Sequence, residues 1–176
     1  MNVIKTDLEG LLVIEPNLIV GNRGLFNQTA FSKATGVKAN LRQGKHSRLV
    51  KGALCGLHYQ INCPHGKLVR VTVGNTFDVA VDLRRTSPTF GKWLGLKLSA
   101  GNKRQLWIPP GFAHGFIVLS DSAERLCKTL DHQPLVHERC IIWNDPYLAI
   151  KWPEGVVPSL SLKDQRGVSF KDAELF

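Results

Sequence analysis

Apolar and polar residues alternate with a period of two through the middle of the chain. The alternation runs over residues 69–73 and resumes over residues 77–83, with the turn-forming pair Gly74-Asn75 between the two runs. This pattern predicts half-buried β-strands, and the short link predicts that they form a β-hairpin. Similar apolar patterns recur over residues 94–98, 106–108 and 116–119.

Helical periodicity is weak by comparison, and it is confined to residues 32–36 and to the tail from Ser161 onward. Many short strands separated by glycine-bearing turns are typical of a sandwich or a closed barrel. The sequence therefore predicts an all-β jelly roll with a few short helices.

Length and composition limit the class of protein. The chain has 176 residues, of which 43% are hydrophobic and 21% are charged, so we expect a single folded domain over residues 1–176. No apolar run approaches the ~20 residues that span a bilayer, and the first residues lack the apolar core of a signal peptide. None of the four cysteines forms a C-x-x-C pair. We therefore expect a cytoplasmic protein with reduced thiols and no membrane association.

The formal net charge of +9 comes from one segment. Between Glu15 and Asp78 there are nine basic residues and no acidic ones, whereas the rest of the chain holds 14 of each. Such a field attracts anions, which leaves a phosphorylated small molecule, a nucleic acid, an acidic protein face or simply a solvated surface as interpretations. The segment lacks the interleaved aromatic residues of single-strand binders, so we expect no nucleic acid partner.

Four polar side chains stand in settings that suit proton chemistry. His58 and His114 each lie in an apolar, glycine-bearing stretch, and an imidazole titrates near neutral pH. Lys67 opens the strongest predicted strand and would stabilise an oxyanion if it pointed inward, while Asp164 could orient a histidine. Each also has a structural interpretation: a hydrogen-bonded core histidine, a lysine at the surface, or a capping aspartate.

Residues 109–114 follow the pattern P-x-G-x-x-H, which resembles the second half of the cupin metal signature. Metal-binding cupins also need an H-x-H pair and a carboxylate in the first half, and that segment here reads His58-Tyr59-Gln60. Because the second histidine is missing, we expect no metal and no other cofactor.

Several long runs, in order and almost without gaps, resemble the dTDP-4-dehydrorhamnose 3,5-epimerase family over nearly the whole chain. The runs are G-L-H-Y-Q at 56–60, G-K-L-V-R at 66–70, F-D-V-A-V-D-L-R at 77–84, S-P-T-F-G at 87–91, N-K-R-Q-L-W-I-P at 102–109 and G-F-A-H-G-F at 111–116. The resemblance implies a metal-free, cupin-type jelly roll that works as a homodimer, in which the N-terminal part of one subunit pairs with the partner's sheet. It also implies a dTDP-linked 4-keto-6-deoxyhexose as substrate and inversion at C3 and C5 on the way to dTDP-L-rhamnose.

The resemblance assigns individual residues as well. His58 matches the catalytic base, Asp164 its orienting partner, and Lys67 the lysine near the C4 oxygen of the sugar. The matches for substrate binding are His114, a pocket histidine; Arg23 and Phe26, in an R-G-x-F motif; and Gln43, which matches the glutamine of the family's Q-x-N-x-S segment.

This chain departs from the family at some of the binding positions. The arginine that binds the diphosphate is replaced by Cys55, which removes a charge-assisted contact of about 2–3 kcal/mol. Lys45 stands where the family has asparagine and could compensate as a point charge. Gln28 replaces a glutamate, and His132-Gln133 replaces a pair of tyrosines.

The proton donor is also replaced. The family tyrosine in F-L-Y-K, which delivers a proton to the opposite face of the sugar, is Cys127 here. A thiol has a reference pKa of about 8.5 against about 10 for tyrosine, so it can donate, although its reach is shorter. His132 and water are the alternative donors. Three interpretations stay open: a 3,5-epimerase with a substituted acid, a monoepimerase on another nucleotide-linked keto sugar, and a homologue that binds nucleotide sugar without turnover.

Overall fold

The computed structural model describes residues 1–22, 24–28, 31–38, 41–130 and 135–176. The strands are β1 (Asn2–Lys5), β2 (Leu12–Glu15), β3 (Asn17–Gly21), β4 (Gly24–Gln28), β5 (Gln43–Val50), β6 (Ala53–Gln60), β7 (Lys67–Val73), β8 (Asn75–Asp82), β9 (Trp93–Ser99), β10 (Gln105–Ile108), β11 (Phe112–Val118), β12 (Ser122–Thr129), β13 (Glu138–Cys140) and β14 (Ser159–Leu160). Two short α-helices, α1 (Phe31–Thr35) and α2 (Leu162–Gln165), and a 3₁₀ turn (Leu135–His137) complete the described elements.

The strands form two main sheets. The first sheet has the order β1-β2-β10-β7-β12-β5, and the second has the order β13-β6-β11-β8-β9, with the short β14 alongside β6. Strands β3 and β4 make a separate two-stranded hairpin. All pairings within these sheets are antiparallel except that of β14 with β6. The prediction of an all-β fold with a few short helices is confirmed.

Apolar side chains from both sheets meet between them. One cluster joins Val69 and Leu106 of the first sheet to Ala80 and Leu98 of the second. The outer face of the second sheet is covered by the C-terminal segment, where Leu148 and Phe170 pack on strand residues. Because the C-terminal segment folds back over β6, it can bring Asp164 to the same strand as His58.

The predicted hairpin of residues 69–83 is wrong. Strand β7 belongs to the first sheet and β8 to the second, and the link at Gly74 carries the chain between them. Gly74 has a φ of 70°, and a Cβ there would lie 2.1 Å from the Ser122 carbonyl oxygen, so the turn needs glycine. The alternation was misread because the polar face of β8, with Asp78 and Asp82, is buried inside the protein.

The weaker helical signals were correct. Helix α1 covers most of residues 32–36, and α2 begins after Ser161, whose hydroxyl accepts a hydrogen bond from the Asp164 backbone amide. None of the helices in the described part of the chain has the length and apolarity that a bilayer-spanning helix requires.

Candidate active site

A cavity of about 320 Å³ opens between the two sheets where β5 and β12 face β6 and β11. The first sheet contributes Lys45, Ser47, Leu49, Lys67, Arg125 and Cys127, and the second contributes Cys55, His58, His114, Phe116 and Glu138. Six of the thirteen residues that the sequence singles out therefore meet in one cavity: Lys45, Cys55, His58, Lys67, His114 and Cys127.

His58 is held by a buried carboxylate. Its Nε2 lies 2.8 Å from Oδ1 of Asp164, and the same oxygen accepts a hydrogen bond of 2.9 Å from the Gly56 backbone amide. The other oxygen of Asp164 accepts a bond of 2.5 Å from the Ser161 hydroxyl. Burial disfavours ionisation of this carboxyl, but the contacts with His58, Ser161 and Gly56 outweigh it and lower the pKa of Asp164 to about 2. Asp164 is thus an anion that fixes the imidazole.

A second carboxylate approaches the other ring nitrogen of His58. Strand β13 pairs with β6 so that Cys140 lies opposite His58, and Glu138 lies on the same side of β13 two residues earlier. Glu138 Oε1 is 3.8 Å from His58 Nδ1, and Lys163 forms an ion pair with the other oxygen. Burial acts against ionisation, but Lys163 and His58 lower the pKa of Glu138. Asp164 and Glu138 therefore place one carboxylate near each ring nitrogen of His58.

Lys67 points inward. Its side chain is 8% exposed, and its ammonium donates a hydrogen bond of 3.3 Å to the His58 backbone carbonyl. Burial lowers the pKa of Lys67, while Cys127 and Glu138 act in the opposite direction. The surface interpretation of this lysine is wrong, and its amine is available to an oxygen atom inside the cavity.

His114 belongs to a buried network on the same wall as His58. Its Nε2 lies 2.9 Å from Asp78 Oδ2, and the same oxygen pairs with the Arg125 guanidinium. Thr76 donates a hydrogen bond to the other Asp78 oxygen. Burial lowers the pKa of His114 to about 4, with Asp78 opposing and Arg125 adding to this shift. His114 is therefore neutral near pH 7 and donates from Nε2 to ionised Asp78.

Arg125 is a site residue that the sequence reasoning missed. Its guanidinium carbon lies 3.3 Å from the centre of the Phe116 ring, and within the described part of the chain its Nε has no hydrogen-bond partner. Cys55, Phe116 and Asp78 form one row across β6, β11 and β8. Arg125 contacts Phe116 and Asp78, two members of this row, so its positive charge lies near Cys55, the third member. A basic residue on the inward face of β12, between Ala123 and Cys127, was the signal available in the sequence.

Both predicted cysteines face the cavity as thiols. Burial raises the pKa of Cys127, and Lys67 and Arg125 oppose that shift. Burial and Asp164 raise the pKa of Cys55. Cys127 is aligned with Lys45 on β5 and Val69 on β7, so it lies on the wall opposite His58. A protonated thiol therefore faces the imidazole across the cavity.

The other predicted residues do not line the cavity or lie outside the description. Gln43 begins β5 two residues before Lys45, and its buried Oε1 has no hydrogen-bond partner among the described residues. Phe26 and Gln28 belong to β4, but their side chains are not described. Arg23, His132 and Gln133 lie outside the described residues.

Residues 5–172 match the family model of dTDP-4-dehydrorhamnose 3,5-epimerases. The dTDP-4-dehydrorhamnose 3,5-epimerase of Pseudomonas aeruginosa is 53% identical over 180 residues, covering 100% of this chain and 99% of that protein. Among solved structures, dTDP-6-deoxy-D-glucose-3,5-epimerase from Legionella pneumophila, in complex with dTDP-4-keto-L-rhamnose, superposes with a TM-score of 0.94 at 44% identity. The alignment covers 98% of this chain and 94% of that one.

A structure with a different specificity is also similar. The 3'-monoepimerase of Streptomyces bikiniensis, in complex with dTDP-quinovose, superposes with a TM-score of 0.87 at 28% identity. The alignment covers 93% of this chain and 85% of that one. These structural relatives confirm the prediction of a cupin-type jelly roll.

Proposed function

The chain belongs to the dTDP-4-dehydrorhamnose 3,5-epimerase family, and on this premise we propose that it inverts C3 and C5 of a dTDP-linked 4-keto-6-deoxyhexose. The observation that carries the proposal is the pairing of His58 with Asp164 in a cavity that also holds Lys67 and Cys127. The dTDP-sugar complexes of the structural relatives support the substrate class.

His58 is the base. Asp164 engages Nε2 at 2.8 Å, which leaves Nδ1 to take a proton from the carbon next to the 4-keto group. The C–H electron pair moves into the ring to form an enolate, and its charge develops on the C4 oxygen. The imidazolium is stabilised by the anionic carboxylates of Asp164 and Glu138.

Lys67 stabilises the enolate. It is buried beside His58 and lines the cavity, so its ammonium can meet the C4 oxygen at a position that is largely shielded from solvent. A fixed cation aimed at developing negative charge is worth far more in such a site than in bulk water.

Cys127 returns a proton from the opposite side. Inversion requires that the new C–H bond form on the face away from the base, and Cys127 and His58 belong to different sheets. The raised pKa of the Cys127 thiol keeps it protonated until the enolate forms. His132 and water are the competing donors.

Arg125 and Lys45 bind the diphosphate. Both residues line the cavity. The guanidinium of Arg125 lies over Phe116, the register partner of Cys55, and so supplies a positive charge close to the uncharged Cys55. Its Nε, which has no hydrogen-bond partner among the described residues, can donate to a phosphate oxygen, while Nη2 stays on Asp78. His114, which is neutral, orients the sugar through a hydrogen bond.

The protein works as a homodimer through the β3–β4 hairpin. This hairpin exposes Leu18, Ile19 and Val20, of which Val20 is 75% exposed, and it is separate from both main sheets. Such an apolar surface suits a second copy of the chain, and β5 offers a free sheet edge. Sedimentation should give a dimer, and Ile19→Asp should shift it to monomer; a wild-type monomer would contradict the proposal.

A monoepimerase is the second candidate function. The substitution of the donor at Cys127 favours it, because a changed acid can serve one carbon and miss the other, and a monoepimerase is among the structural relatives. The experiment that separates the two is incubation with dTDP-4-keto-6-deoxyglucose in deuterated water, followed by NMR of the sugar.

Deuterium at both C3 and C5 in an inverted product, trapped by a reductase, supports the 3,5-epimerase. Deuterium at one inverted carbon identifies a monoepimerase. Absence of any exchange contradicts both functions and leaves a homologue that only binds the nucleotide sugar.

A further inference from the structure

A third potential metal ligand lies beside His58 and Asp164. Cys140 is the register partner of His58 across β13 and β6, so the two side chains are neighbours on one face of the second sheet. One ring nitrogen of His58, Sγ of Cys140 and a carboxylate oxygen of Asp164 all lie within 4.8 Å of one another. The proposed reaction uses His58 and Asp164 and leaves Cys140 without a role.

We propose that His58, Cys140 and Asp164 bind Zn²⁺ or a similar thiophilic divalent cation, and that the bound cation inhibits the enzyme by occupying the base. The metal site stands on the geometry of these three residues, and only the inhibition rests on the proposed function.

The donor set fits zinc. Imidazole nitrogen, thiolate sulfur and carboxylate oxygen are its usual ligands, at about 2.0–2.3 Å, which places ligand atoms roughly 3.5 Å apart. Mg²⁺ and Ca²⁺ prefer oxygen ligands and would not select this set. His58 Nε2 and Asp164 Oδ1 are 2.8 Å apart, so a bound ion requires these two atoms to separate by about 0.7 Å and Cys140 to rotate toward both. Its thiol makes a weak hydrogen bond of 3.6 Å to the Ile141 carbonyl, which offers little resistance.

The surroundings support a bound cation. With Nε2 on the metal, Nδ1 of His58 faces Glu138 at 3.8 Å, an arrangement in which a carboxylate orients a metal-binding histidine. Cys140 and Glu138 also line an open depression of about 660 Å³ between β13 and α2. A cation can therefore reach Cys140 from this side, apart from the sugar cavity.

The charges balance when the site is filled. Zinc is bound by a thiolate and not by a thiol, so the ion must displace the proton of Cys140 into solvent when it binds. The thiolate and the Asp164 carboxylate then neutralise the two positive charges of the ion. A neutral complex is the form that a largely buried site accepts most readily.

Cobalt reports directly on the thiolate. The reduced full-length protein is titrated with Co²⁺, and a thiolate-to-cobalt charge-transfer band in the near ultraviolet is expected to saturate at one equivalent. Cys140→Ser should abolish the band, while the matched variant Cys63→Ser, at an exposed free cysteine, should keep it. Asp164→Asn retains the thiol and should keep the band but weaken Co²⁺ binding at least tenfold. Thermal unfolding of the metal-free variants checks that each one folds.

Inhibition is measured separately as deuterium exchange into the substrate at increasing Zn²⁺. The wild type should lose exchange and recover it with a chelator, and Cys140→Ser should need at least tenfold more Zn²⁺ for the same fractional loss. A band that persists in Cys140→Ser, or that disappears in Cys127→Ser instead, would overturn the metal site. If the protein does not turn over substrate, the proposed function fails, and the cobalt spectra still decide the metal site.

Discussion

His58 Nε2 lies 2.8 Å from Asp164 Oδ1, although the two residues are 106 positions apart in the chain. The contact exists because β14 pairs with β6 and α2 follows at once, so the C-terminal segment delivers a carboxylate to a strand in the second sheet. Ser161 and Gly56 satisfy that carboxylate with hydrogen bonds, which keep it ionised and fixed. The imidazole is therefore oriented before substrate binds.

Asp164→Asn should lower kcat by about 10²–10⁴-fold, because the amide no longer stabilises the imidazolium and can hold the wrong tautomer. KM should change little, since Asp164 does not reach the cavity lining. Steady-state kinetics with a coupled reductase measure both. Ser161→Ala is the matched control, which removes one of the carboxylate's partners and should have a much smaller effect. An Asp164→Asn enzyme with wild-type kcat would contradict the positioning role.

Arg125→Phe should weaken dTDP binding by about 10- to 100-fold, the loss of a charge-assisted contact of about 1.5–3 kcal/mol. The double variant Arg125→Phe/Cys55→Arg moves the guanidinium to β6 in the same row and should recover most of the affinity. Calorimetric titration with dTDP at two salt concentrations checks both variants. Wild-type affinity in Arg125→Phe, with its fold intact, would show that the diphosphate binds elsewhere.

Protonation of His114 should make the fold sensitive to mild acid. Its pKa is about 4 in the folded protein against 6.5 in the unfolded chain, so between these values the unfolded state binds more protons and stability falls as the pH is lowered. This difference in pKa corresponds to about 3 kcal/mol of stability, which is lost as the pH falls from about 6.5 to about 4. Denaturant unfolding of the wild type and His114→Gln measures it. The variant should show a shallower decline over this window, and identical pH dependence would contradict the prediction.

Alternation in the sequence was enough to predict strands and fold class, because a half-buried strand imposes a period of two on its side chains. It did not predict which sheet each strand joins. Strand β8 looked like one half of a hairpin, yet its polar residue Asp78 faces the interior and pairs with Arg125. A strand whose polar residues form buried pairs has the same alternation as a strand whose polar face is exposed to solvent. The sequence alone therefore cannot distinguish a buried polar residue such as Asp78 from an exposed one.

Only part of the candidate site could be predicted from the sequence, because some of its contacts depend on strand pairing. His58, Lys67 and Cys127 lie in local motifs and were identified from them. Glu138 and Cys140 reach His58 only through the pairing of β13 with β6, a contact between segments about 80 residues apart that leaves no local pattern. Such neighbours become visible only when the register is known.

The most direct test of the account is the stereochemical outcome in deuterated water, compared between the wild type and Cys127→Ser. The proposed base His58 lies on one wall of the cavity and the proposed donor Cys127 lies on the other. The wild type should therefore give deuterated, inverted sugar, whereas Cys127→Ser should exchange deuterium and largely retain the configuration. Inverted product from Cys127→Ser at the wild-type rate would contradict the assignment of Cys127 as the proton donor. Loss of all deuterium exchange in that variant would contradict the assignment of proton abstraction to His58 alone.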